Sequence, residues 1–203
     1  MAKEPSPSDP AASIPLAPDR PRPDRTPHVE GIGPFVPYVP KSLKLACTFE
    51  VPDNWLATEQ QGRGERYQQI ILVGPRNAQD TYHAGLTVRI TPVGAGGGSY
   101  ATLEDLIDWR RKQYAQTAGF SELSFREVSV VGPPAKELKW IFQVTLPSAV
   151  GPQTVLLKNQ LVLFAHQEQL YELSFGADAV EFERYAPAFE HLLQSFQLVP
   201  SPQ

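Results

Sequence analysis

The sequence predicts an α+β fold, an antiparallel β-sheet of about six to seven strands sandwiched between helices. Three observations carry this. Several segments alternate apolar and polar residues with the period of two that a half-buried strand requires. Two others, from Thr102 and after Gly176, repeat apolar residues every three or four positions, as a helix does. The connections between consecutive strands are too short for parallel crossovers, so neighbours pair antiparallel. One helix on each face then completes an α/β/α sandwich.

The first strand is read from Leu45, Cys47, Phe49 and Val51, which alternate with Ala46, Thr48 and Glu50. Cys47 lies on the apolar set and is expected to be a buried small hydrophobe. The cluster Pro52-Asp53-Asn54 ends the strand and Trp55 follows. Tyr67 to Val73 is a second strand, closed by Gly74-Pro75, and Ala84 to Thr91 a third, stopped by Pro92. Thr102 with Asp105 three residues on reads as a capping box. The helix behind it carries Leu103, Leu106, Ile107, Trp109 and Tyr114, with Gly119 as its stop. Phe120 to Val131 is extended up to Gly132-Pro133-Pro134. In the next strand Leu138, Trp140, Phe142, Val144 and Leu146 face one way. Thr154 to His166 and Leu170 to Phe175 form a hairpin turning at Gln167-Glu168-Gln169. In the last helix Phe182, Tyr185, Phe189, Leu192, Leu193 and Phe196 recur at helical spacing, but Pro187 interrupts them. A mid-helix proline costs about 3 kcal/mol, so a short turn at 178–185 and a main helix starting near Pro187 are expected.

The 203 residues suit one domain plus an appendage, and 11 of the 21 prolines fall in the first forty. Proline this dense removes ladder donors and fixes φ, so residues 1–40 read as a Pro-rich disordered leader, 41–199 as the domain and 200–203 as a tail. Pro34 to Pro40 repeats every three residues, the period of polyproline II. Phe35 and Tyr38 on that strip have two readings, a lead-in packed on the domain or a ligand for an aromatic groove.

The net charge of −4 lacks the basic footprint of sequence-independent nucleic-acid binding. No stretch is apolar enough to span a bilayer, and the start has no apolar signal core. Leu45-Ala46-Cys47 mimics a lipobox, but Lys44 stands at the aliphatic position. A cytoplasmic chain and a mature chain that has lost its signal both fit. One cysteine builds neither an intrachain disulfide nor a thiolate zinc site. Asp80 and His83 are too few for a closed metal site, and His166 and His191 read as a hairpin end and a helix surface. Gly94 to Ser99 has the place of a phosphate loop but neither the dinucleotide glycines nor a Walker lysine. No Gly-x-Ser-x-Gly elbow is present. No cofactor, metal or catalytic residue is therefore expected. Arg110, Arg111 and Lys112 form a basic run on the first helix, read as a solvated face or as a docking patch for an acidic partner. With Phe35 and Tyr38 they are the candidate partner surface.

Phe49-Glu50-Val51-Pro52-Asp53-Asn54-Trp55 opens the domain, and Gly85-Leu86-Thr87-Val88 precedes the helix at Leu103-Glu104-Asp105-Leu106. Gly119-Phe120, Gly132-Pro133-Pro134-Ala135 and the run from Phe189-Glu190 to Ser195-Phe196 follow. Over about residues 42–199 this pattern resembles the PsbP-like domain, whose superfamily includes the Ran-binding Mog-type and the DcrB-type proteins. The resemblance implies a sheet between helices and a non-catalytic accessory, assembly or adaptor domain that binds a protein partner. It favours the extracytoplasmic side and gives no catalytic residues to carry over. Two other readings stand beside it, a small-ligand or apolar-peptide carrier, motivated by the aromatic load, and a hydrolase assembled from distant residues.

Overall fold

The computed structural model describes residues 29–43, 45–62, 66–94, 100–130, 132–148 and 150–199. The leader expectation for residues 1–28, the glycine loop at 95–99 and the tail at 200–203 lie outside the described residues. In chain order the elements are β1 (Phe35–Pro37), β2 (Cys47–Thr48), β3 (Glu50–Pro52), β4 (Leu56–Gln61), β5 (Gln68–Arg76), β6 (His83–Pro92) and α1 (Leu103–Ala115). Then follow β7 (Ser121–Ser129), β8 (Pro134–Leu146), β9 (Gln153–His166), β10 (Gln169–Asp178), α2 (Phe182–Ser195) and β11 (Gln197–Leu198).

Seven strands form one sheet in the order β4-β5-β6-β10-β9-β8-β7, every pair antiparallel. The expected fold class is what forms. Period-two alternation sorts the strand residues onto two faces. Ile70, Leu72, Leu86, Val88, Val162, Phe164, Tyr171, Leu173 and Phe175 join Phe182, Tyr185, Phe189 and Leu192 of α2 in the larger core. Leu138, Trp140, Leu161, Leu163 and Leu170 point the other way and meet Leu106 and Ile107 of α1. The central strands β9 and β10 are buried on both sides.

Five local expectations change, the fifth at the β9–β10 turn. First, the ordered unit reaches back through Val29 rather than starting at residue 41. Ile32 is buried in the larger core, and β1 pairs with β3 in the register Phe35↔Pro52 to Pro37↔Glu50. Second, the opening strand divides, with β3 pairing β1 and β2 pairing β11 at the chain's far end. Third, β4 is an edge strand that the apolar pattern does not mark, because Leu56 is 70% exposed and the rest is largely polar. Fourth, α2 runs unbroken through Pro187. The helix forgoes one hydrogen bond there because Phe182 and Tyr185 before the proline, and Phe189 and Leu192 after it, must face the same core.

The hairpin turn is tighter than expected. His166 pairs with Gln169, leaving Gln167 and Glu168 with φ of 45° and 61°. This is the two-residue turn with positive φ at both positions that matches strand twist, made here without glycine or asparagine.

Candidate binding surface

α1 begins at the expected capping box: Thr102 Oγ1 accepts from Asp105 N, and Asp105 Oδ2 accepts from Thr102 N. Burial of Leu106 and Ile107 fixes the helix rotation and so sends the basic run in three directions. Arg110 turns inward. Its Nε donates to Glu172 Oε2 at 2.6 Å, and both side chains are largely buried. Arg89 Nε stands 3.5 Å from the other carboxylate oxygen, with its guanidinium 4.0 Å over the Tyr67 ring. Burial opposes the Arg110 charge, but the Glu172 bond outweighs it and raises its pKa. Burial also raises the neighbouring Tyr100 and Tyr114 phenols, which stay neutral.

Arg111 grips Glu122 of β7 through two bonds, Nε to Oε2 at 3.0 Å and Nη2 to Oε1 at 3.1 Å. Its guanidinium lies 4.8 Å over Phe125. Lys112 points to solvent. Trp109, 40% exposed, meets Tyr100 edge-on and carries the Arg110 guanidinium at 4.8 Å. The outer side of α1 and the adjoining β7 edge thus leave Trp109, Phe125 and Leu123 partly open beside cations.

Phe35 and Tyr38 are not brought to this surface. Phe35 stacks on the His191 ring at 3.7 Å, and His191 Nε2 bonds Glu50 Oε2 at 2.7 Å. Tyr38 stacks on Phe49, and its hydroxyl donates to Glu59 Oε1 at 2.7 Å. The strip packs on the domain as a short strand, and both rings are spent on internal contacts. Tryptophan fastens it further: Trp55 Nε1 donates to Gly31 O at 3.0 Å.

Two open grooves lie among the described residues. One, of about 460 Å³, lies between the β7–β8 end and α2, lined by Val128, Val130, Glu137, Val162, Leu193 and Phe196. The buried Glu137 carboxylate accepts there from Arg126 Nε at 2.5 Å and Gln160 Nε2 at 2.6 Å. The other, of about 430 Å³, lies over β5, β6 and β10 on the α1 side of the sheet, where α1 does not reach. Its rim includes His83. His83 Nδ1 bonds Gly74 O at 2.8 Å, so Nδ1 carries the proton, and Nε2 accepts from Arg76 Nε at 2.9 Å. Arg76 Nη1 also donates to Asp80 Oδ1 at 2.7 Å. The two residues weighed as metal ligands are therefore bridged by an arginine.

Two further groups, a thiol and a phenol, are held in their neutral forms by burial. Burial pushes the Cys47 thiol up to about 12 and the Tyr171 phenol up to about 12. Neither Cys47 nor Tyr171 lines either of these two grooves. The sequence reading missed Arg89, Glu172, Tyr67 and Glu137. Glu172 inside the apolar run Leu170-Tyr171-Glu172-Leu173 was the legible signal, since a carboxylate in a central strand requires a partner.

No protein-family model matches the chain, and no curated protein matches it. Its similarity to solved structures is in shape. Cyanobacterial PsbP from Synechocystis matches with a TM-score of 0.51 at 13% identity, covering 87% of this chain and 99% of that one. LpqN of Mycobacterium tuberculosis, described as involved in cell envelope biogenesis, matches with a TM-score of 0.51 at 13% identity, covering 82% and 86%. The Ran-binding protein Mog1p of Saccharomyces cerevisiae matches with a TM-score of 0.43 at 12% identity, covering 82% and 96%. The chain shares the fold of cyanobacterial PsbP and LpqN.

Proposed function

We propose that this domain is a non-catalytic accessory or adaptor module that binds a protein partner through the outer side of α1 and the edge of β7. One observation carries the reading. Trp109 and Phe125 are left partly open, each with an arginine guanidinium stacked on it. Tryptophan, aromatic and arginine side chains are enriched where interface energy concentrates. Lys112 extends the same side toward an acidic partner, while Arg110 acts from beneath by positioning Trp109.

The place of action that fits this reading is extracytoplasmic. Support comes from the shared fold with LpqN, described as a protein of cell envelope biogenesis. The full chain and a Trp109→Ala, Phe125→Ser variant, used as paired baits in the native source, test the surface. A protein retained by the first and lost by the second supports it. A partner retained equally by both, or by neither, overturns it.

A further inference from the structure

Gly85 and Gly176 lie opposite each other on the central strands β6 and β10. The two glycines have different reasons to be there. A Cβ on Gly176 would stand 2.5 Å from Asn159 Oδ1, so the Asn159 carboxamide already fills that place. At Gly85 the nearest atom to a Cβ is Leu72 O at 3.6 Å, an ordinary contact, and the backbone is not left-handed. Packing therefore accepts a side chain at Gly85, and strand formation favours one, because glycine weakens a strand interior. What glycine leaves at this point is the floor of the 430 Å³ groove.

The chemistry of the walls narrows what fits. Ile71 and Val73 give the floor an apolar strip, and Tyr82, Thr87, Ser174 and Asn159 surround it. The hydroxyls of Tyr82, Thr87 and Ser174 have no side-chain hydrogen-bond partner among the described residues. Asn159 Nδ2 is buried without a partner. Burial raises the Tyr82 phenol, which stays neutral. The His83 ring is held in place by its bonds to Gly74 O and Arg76 Nε. No carboxylate, lysine or arginine is among the lining residues, and the Arg76 guanidinium behind His83 is spent on Asp80 and the imidazole.

We propose that this groove binds a small neutral saccharide. A charged ligand would lose water without meeting a compensating charge. A purely apolar ligand would leave three hydroxyls and a carboxamide unpaired. A sugar satisfies both conditions: its hydroxyls donate and accept as these side chains do, and its C–H face lies on the flat floor. The site is separate from the α1–β7 surface, and its loss would leave partner capture unchanged.

Proton–nitrogen NMR titration of the full chain tests this, with maltose and N-acetylglucosamine as probes and glucose 6-phosphate as the charged control. Saturable shifts at amides of β5, β6 and β10 around Gly85 are expected with at least one neutral sugar, and binding weaker by roughly tenfold or more with the phosphate. Gly85→Leu fills the groove and should abolish these shifts while the melting temperature is kept or raised. Thr87→Val with Ser174→Ala removes two hydroxyls at nearly constant shape and should weaken binding by roughly tenfold or more. The absence of saturable shifts with both neutral sugars overturns the proposal. So do shifts that persist in Gly85→Leu, or in the hydroxyl variant, and equal binding of glucose 6-phosphate.

Discussion

Glu59 ties the segment from Tyr38 to Leu43 to the sheet edge. It sits on β4, and its two oxygens accept five hydrogen bonds from the segment following β1. Oε1 takes the Tyr38 hydroxyl at 2.7 Å and Lys41 N at 2.5 Å. Oε2 takes Ser42 N at 2.7 Å, Ser42 Oγ at 2.5 Å and Leu43 N at 3.2 Å. Burial works against the charge, but these donors outweigh it and bring the carboxyl from 4.5 to about 2. By linkage such a displacement corresponds to roughly 3 kcal/mol, and screening at this partly open site reduces it to about 1–2 kcal/mol. The folded value lies below the unfolded one. The contribution is therefore complete above pH 4.5 and is lost as the pH falls through about 2. Glu59→Gln keeps one acceptor but turns an amide N–H₂ toward backbone donors. It should cost about 1–2 kcal/mol at pH 7, or about 3–6 °C in Tm for a domain of this size. Urea denaturation at pH 7, 4 and 2 measures this, and amide exchange at Ser42 and Leu43 should quicken in the variant. Equal stability at pH 7, or a gap that stays constant down to pH 2, would refute the reasoning.

Three further outcomes follow from the geometry. Pro187→Ala restores an N–H to α2 and should stabilise the domain by about 1–2 kcal/mol in thermal denaturation, because the apolar face of the helix is unchanged. Gln167→Asn with Glu168→Gly removes two strained left-handed residues and should raise stability by about 1–2 kcal/mol, read from the urea midpoint. Arg110→Met leaves the buried Glu172 facing only Arg89 and should cost about 2–4 kcal/mol, and adding Glu172→Leu should recover at least half of it in a double-mutant cycle.

The sheet was legible wherever burial is one-sided or complete. Strands β6 and β8 carry their alternation in Leu, Val, Ile and aromatic residues, β9 and β10 are read as a hairpin, and α1 announces itself through Thr102 and Asp105. What escaped was structure held by backbone pairing rather than by burial. β4 contains Leu-Ala-Thr-Glu-Gln-Gln, which shows no apolar face, yet it pairs with β5 along its whole length and is fastened by Glu59. Proline density misled at β1 for a related reason. In a two-strand pairing this short, Pro37 and Pro52 stand at opposite ends, and the flanking bonds Tyr38 N to Phe49 O and Asp53 N to Pro34 O use other residues' donors. Proline forbids a place inside a wide sheet, and it does not forbid this one.

The candidate surfaces were less legible because each is assembled across the sheet's width. Arg110 reads as one of three equivalent cations in the helix, and only the rotation set by Leu106 and Ile107 assigns it to Glu172, sixty-two positions on. The same rotation leaves Trp109 half open, although its spacing marks it as core. Pattern therefore decides that α1 has a buried side. The composition of the facing strands decides which polar residues that side takes with it. Glu172 draws Arg110 inward, whereas Glu122 on the β7 edge holds Arg111 at the surface. On the proposed surface, α1 therefore presents Lys112 and the two arginine-backed rings, with Arg110 fixed behind them as support.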